Sequence, residues 1–226
     1  MSNLISIVGN SGSGKSTSLR TLNPKETFII NVASKPLPFK GWRSNYITWN
    51  KENPAGNFVN TSDIDMIGRI LQYINTKRED IKNVVIEDAQ YLMAFEAMDR
   101  AKEKGFEKFT EIGQKFYSIL KAGIGMRDDL NVIVSCHAEN IGDALNPVYK
   151  IKTIGKMIDN MITVEGLFTY VLFTDVQVGE NGEPAYYFVT KSDGTTTAKT
   201  PMGCFDSRLI PNDMQYVIDK INEFNS

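Results

Sequence analysis

The 226-residue chain is poor in the residues that build staples and metal sites: it has two cysteines and one histidine. Cys136 and Cys204 lie far apart, and no C-x-x-C pair occurs. That excludes a disulfide framework and the usual zinc spacings, and it fits a reducing compartment. Neither charge sign dominates: 25 Lys and Arg face 27 Asp and Glu, for a net charge of −2. A uniformly basic nucleic-acid coat is therefore excluded, while a local basic groove is not. No apolar run approaches the ~18 residues of a membrane span. The N-terminus lacks a basic stretch followed by an apolar core and a cleavage site, so a cytoplasmic location is expected. Repeats, low-complexity tracts and linkers are also missing, which leaves one domain over residues 1–226 as the expectation.

Short apolar runs alternate with helical patterns. Residues 4–8, 27–32 and 131–136 read as buried strands, 83–90 ("NVVIEDAQ") as a strand ending in two acids, and 45–49 as a further short one. "NKENPAGNFVNTS" (50–62) reads as a polar loop, and Ser62 with Asp65 as a capping box opening a helix with Ile64, Ile67, Leu71 and Ile74 on one stripe. Two helical patterns separated at Gly105 follow, the second with Phe109, Ile112, Phe116, Ile119 and Leu120 on one side. Residues 137–156 read as an irregular polar stretch. "LFTYVLFTDVQV" (167–178) and "AYYFVT" (185–190) form a hairpin across Asn181-Gly182, and the last helix presents Met214, Val217, Ile218 and Ile221. The expected fold is α/β: a mainly parallel sheet, helices on both faces, and a C-terminal antiparallel hairpin extension at one edge.

Within this frame, Gly9-Asn10-Ser11-Gly12-Ser13-Gly14-Lys15-Ser16 matches G-x-x-x-x-G-K-[ST] at every fixed position, between a strand and a helix. Glycines let the backbone turn tightly and aim consecutive N–H groups inward, where they and the following helix attract anionic oxygens. Lys15 reaches the β- and γ-phosphates, the Ser16 hydroxyl ligates Mg²⁺, and Thr17 donates to the α-phosphate. The absence of an N-K-x-D tetrapeptide favours ATP over GTP.

Such a loop works with an acid at the end of a neighbouring strand. Glu87-Asp88 supplies one, with glutamate first. Either can face the metal, and strand alternation predicts that the two point to opposite faces. The expected division gives Glu87 the metal-linked water and Asp88 the attacking water. The alternative for Asp88 is a helix-capping role.

The motifs "GNSGSGKSTSLRTLNP", "NVASKPLPFKGW", "VVIEDAQYLM", "EKGFEKFTEIG", "KTIGKMIDNMITVEGLFTYVL", "TTTAKTPMGCF" and "LIPND" cover nearly the whole chain. Together they resemble the small phage-encoded P-loop ATPases with a RecA-like core, some of whose relatives are described as ATP-dependent single-strand annealing or recombination proteins. The family commonly carries two aspartates where this chain has Glu87-Asp88. A RecA-type glutamate is expected near the end of the second strand, where "NVASK" has none and Lys35 stands close by. The resemblance implies that His137, the only histidine, senses the γ-phosphate from the strand beside the phosphate loop, with Ser135 as fallback. A structural hydrogen-bonding role is the alternative. It implies that Lys199 reaches the nucleotide of an adjoining subunit, making the protein a homo-oligomer; an exposed edge-strand lysine is the alternative. It places Tyr149, Lys150, Lys152 and Lys156 against single-stranded DNA, the lysines on phosphates and the ring on a base; a solvated connector is the alternative.

Three functions follow. The first is an ATPase acting with single-stranded DNA in phage recombination or replication, alongside a single-strand-binding or replication protein. The second is an ATP-dependent switch or loader acting on a protein partner. The third, a small-molecule kinase, is disfavoured because the seven arginines form no R-x-x-R cluster for a lid.

Overall fold

The computed structural model describes residues 1–154, 161–179 and 181–226. In chain order the strands are β1 (Asn3–Gly9), β2 (Thr27–Asn31), β3 (Phe58–Asn60), β4 (Asn83–Glu87), β5 (Asn131–Asn140), β6 (Tyr149–Ile151), β7 (Tyr170–Val178), β8 (Pro184–Val189) and β9 (Leu209–Pro211). The α-helices among the described residues are α1 (Lys15–Ser18), α2 (Trp42–Asn45), α3 (Ile64–Lys77), α4 (Tyr91–Asp99), α5 (Glu107–Ile124) and α6 (Met214–Asn225). The sheet order is β3-β2-β4-β5-β1-β7-β8-β9, with β6 paired to β5. From β3 to β7 every pairing is parallel; β7–β8 and β8–β9 are antiparallel. This is a P-loop NTPase fold, with the expected antiparallel extension lying at the β7 edge of the parallel strands.

Alternation along the buried strands makes two cores, one on each face. Leu4 and Val8 of β1, Val84 and Ile86 of β4, and Val132 and Val134 of β5 pack with Ile67, Leu71 and Ile74 of α3 and Ile112, Phe116 and Leu120 of α5. Ile5 and Ile7, Val85 and Ile133 face the other way, onto Leu19 and Leu22 and onto Met214, Val217, Ile218 and Ile221 of α6. The parallel strands are buried on both sides, so they read as continuous apolar runs. The sheet parity also sets the site, because Glu87 and Ser135 share the face of Val85 and Ile133, which is the face of α1.

Four local expectations are corrected. Residues 45–49 are not a strand: Trp42–Asn45 make one helical turn after Gly41, and only Thr48 forms a bridge, to Phe58. The polar loop instead contains β3, held because Phe58 and Val59 are buried against β2. The cap of α3 is Asp63, whose Oδ1 accepts the Met66 N–H at 2.9 Å, so the helix starts one residue beyond the Ser62 box. The stretch after residue 136 contains regular structure: β5 runs on to Asn140, and β6 returns antiparallel, pairing Glu139 with Lys150. No helix among the described residues is long and apolar enough to cross a membrane.

Candidate functional site

The phosphate loop leaves the end of β1 and enters α1, and two of its glycines are obligatory for different reasons. A Cβ on Gly9 would lie 1.8 Å from Thr174 Oγ1, so β7 closes on the loop only because nothing projects there. Gly14 has φ 95, in the left-handed region. The loop is held from β7: Thr174 Oγ1 donates to Ser13 Oγ at 2.6 Å, and Ser13 Oγ donates to the Asn10 carbonyl at 2.7 Å. Lys15 is buried, and its ammonium donates to the Gly9 and Asn10 carbonyls at 2.9 and 2.8 Å. Burial pushes its pKa down against the attraction of Glu87 and Asp88.

The acid strand is not adjacent to β1, as the sequence reading had it; β5 lies between them. That intervening strand contributes Ser135, fully buried, which ties the two acids together. Ser135 Oγ donates to Glu87 Oε2 at 2.6 Å and accepts the Asp88 N–H at 2.7 Å. On its other oxygen Glu87 accepts the hydroxyl of Ser16. Burial drives the Glu87 carboxyl above the usual carboxylate range, and its two hydroxyl donors only partly offset this.

Asp88 corrects a second expectation. Strand alternation would send it to the face opposite Glu87. The strand ends at Glu87, however, and Asp88 turns into the left-handed region with φ 58. Both acids therefore lie near Lys15. Asp88 does not cap α4, which starts at Tyr91 after Gln90 and has no side-chain cap. Its Oδ2 is 2.6 Å from Lys35 Nζ, and its Oδ1 is 3.7 Å from His137 Nε2. Burial pushes the Asp88 carboxyl up, but His137 and Lys35 outweigh it and hold it below the ordinary range. The Asp88 hydrogen bond correspondingly raises the Lys35 pKa. Lys35 thus occupies, with opposite charge, the neighbourhood where a RecA-type glutamate was expected.

His137 stands opposite Gly9 in the β1–β5 pairing, directly beside the loop. Its ring meets Tyr91 edge-on at 5.9 Å, and its backbone N–H donates to Gln90 Oε1 at 3.2 Å. Ser135 is committed to the two acids. Among the described residues no cluster of three His, Cys, Asp or Glu side chains forms a cation cage. Ser16 and Glu87 instead place a hydroxyl and a carboxylate side by side, the donor chemistry of a Mg²⁺ that takes its remaining ligands from phosphate and water.

The other candidates lie apart from these groups. Lys199 is exposed and pairs by its backbone with Val171, whose β1 neighbour is Ser6 rather than the loop. Lys150 is ion-paired with Glu139 at 3.2 Å. Tyr149 is half-buried and lines a pocket of about 470 Å³ beside the loop residues Gly9 to Ser13, together with Thr174 and Arg208. Lys152 is exposed, and Lys156 lies outside the described residues. Sequence reasoning missed Thr174 and the partners Gln90 and Tyr91. Thr174 carries no local signal; only the pairing of β7 with β1 brings it to the loop.

A family model described as an AAA domain matches residues 2–202. A comparison with curated proteins finds no match.

Proposed function

The chain belongs to the AAA domain family, which is P-loop ATPase-like, and from that premise we propose that it binds ATP with Mg²⁺ in the Gly9–Thr17 loop and hydrolyses the γ-phosphate. The observation that carries the reading is the contact between Ser16 and Glu87 beside a buried Lys15. A hydroxyl, a carboxylate and an ammonium converge on one loop from β4 and α1.

Lys15 exchanges two carbonyl acceptors for the β- and γ-phosphate oxygens, which are charged and therefore stronger partners. The inward N–H groups of residues 10 to 14 take the remaining phosphate oxygens. Ser16 and Glu87 would hold Mg²⁺, which would neutralise charge on the phosphate oxygens. Asp88, kept ionised by Lys35 and His137, orients the attacking water and accepts its proton as the new P–O bond forms and the bond to the β-phosphate oxygen breaks. His137, opposite Gly9, contacts the γ-phosphate. Lys199 acts on the nucleotide of an adjoining subunit, which makes a homo-oligomer the active form.

For the effector we propose single-stranded DNA, in phage recombination or replication, with Tyr149, Lys150, Lys152 and Lys156 as the contacting residues. The support is the family resemblance and the exposure of Lys152. A second reading, an ATP-driven switch acting on a protein partner, is favoured by the Lys150–Glu139 pair, which neutralises one of the four candidates. Phosphate release should be measured with and without single-stranded DNA, alongside gel filtration in ATP. Stimulation with ATP-dependent assembly is the expected result. Hydrolysis indifferent to DNA moves the protein to the second reading, and absence of ATP binding sinks both.

A further inference from the structure

A second pocket, of about 390 Å³, opens on the far side of the phosphate loop from the two acids, lined by Gly14, Thr17, Arg20, Tyr186, Asn212 and Asp213 among others. Thr17 is the residue assigned to the α-phosphate, so the pocket begins where the nucleoside would leave the loop. Its edge is built from the antiparallel extension. Tyr186 on β8 brings its ring to 3.0 Å from where a Gly14 Cβ would be, and Asn212, just beyond β9, brings its amide to within 3.2 Å of the same point. Arg20 fixes this arrangement, donating from Nη1 to the Thr17 carbonyl at 2.9 Å and to the Asn212 carbonyl at 3.1 Å. The Asn212 backbone N–H donates to the Tyr186 carbonyl at 3.3 Å.

Asn212 is only 4% exposed, yet its Nδ2 has no hydrogen-bond partner among the described residues. A buried amide donor is costly to leave unpaired, and an acceptor on a ligand in the adjoining pocket would satisfy it. The neighbouring Asp213 caps α6, its Oδ1 accepting the Tyr216 N–H at 2.9 Å.

We propose that this pocket holds the purine base of the nucleotide, with Asn212 pairing to the base edge and the half-exposed Tyr186 ring covering its face. A carboxamide offers one donor and one acceptor in a plane, the complement of the N6 and N7 groups of adenine. The aromatic ring adds stacking that a bare phosphate chain cannot use. The inference rests on the reading of the loop as a triphosphate site, and the test separates the two.

Binding of ATP and of inorganic tripolyphosphate, each with Mg²⁺, is measured by calorimetry on the full chain, its Asn212→Leu and Asn212→Asp variants, and Tyr186→Ala. The parent should bind ATP more tightly than tripolyphosphate. The Asn212 variants should lose about tenfold in ATP affinity while tripolyphosphate affinity stays within about twofold. Tyr186→Ala should narrow the same gap by a smaller factor. If the Asn212 variants keep the full preference for ATP, or lose both ligands equally, the base pocket is refuted and the phosphate loop is untouched. If the parent binds neither ligand, the triphosphate reading fails and this inference fails with it.

Discussion

Glu87 and Asp88 are consecutive residues at the end of one strand, and their surroundings are opposite in kind. Glu87 is enclosed and held by two neutral hydroxyls, those of Ser16 and Ser135. Asp88 is held by two basic side chains, Lys35 and His137. The first environment disfavours a lone negative charge, which is tolerable for a carboxylate that is to acquire a cation. The second keeps the charge in place without one. Chemical identity alone would make the two acids near equivalents; the neighbours push their proton affinities apart, and divergence of that kind marks a division of labour.

The broadest way to break the comparison is to remove the cation that lies near both acids. Lys15→Ala should lower ATP affinity and turnover by about 100-fold or more, read by calorimetry and phosphate release. Normal turnover would refute the assigned pocket. Next, Glu87→Gln should cut turnover by about 100-fold while leaving ATP binding measurable, and it should raise the Mg²⁺ concentration needed for half-maximal rate. Asp88→Asn should also lower turnover, but without moving that Mg²⁺ requirement. Equal Mg²⁺ dependence in the two variants would erase the distinction between the acids.

Smaller effects sharpen it. Lys35→Ala removes one of the groups that hold the Asp88 carboxyl low, so the acid limb of the turnover–pH profile should move to higher pH. An unmoved limb would mean that Asp88 does not carry the titration. Smallest are the stability effects, which have opposite signs. The pKa of Glu87 is raised, so its contribution to stability falls as pH rises from the ordinary glutamate value toward the raised one. Glu87→Gln should therefore raise the melting temperature of the nucleotide-free protein at neutral pH by about 2–4 °C per kcal/mol recovered, with the gain narrowing as the solution is acidified. The pKa of Asp88 is lowered, so its contribution is present above the ordinary aspartate value and is lost as pH falls through the lowered one. Asp88→Asn should accordingly lower the melting temperature at neutral pH.

What was legible in the chain is what depends on near neighbours. The loop at residues 9–16, the buried strands before and after it, the apolar stripes of α3, α5 and α6 and the β7–β8 hairpin all follow from spacing within a few residues. β3 was hidden because three residues inside a polar stretch give no periodicity, and only pairing with β2 makes them a strand. The opposite-face expectation for Asp88 failed because alternation holds only while the strand lasts, and β4 ends one residue earlier. Ser135 reads as one more residue of a buried strand until the β4–β5 register sets it against both acids.

By itself, then, the amino-acid order determined that a glycine-rich loop with a lysine and a hydroxyl follows a buried strand, and that two acids end another. Those are local facts, set by backbone freedom and hydrophobic period. The tertiary structure alone decided that Ser16 touches Glu87, that Lys35 reaches Asp88, and that Asn212 faces Gly14. Groups as distant as Arg20 and Asn212, 192 residues apart, meet only because burying both faces of one sheet fixes the strand order. No local pattern carries that order.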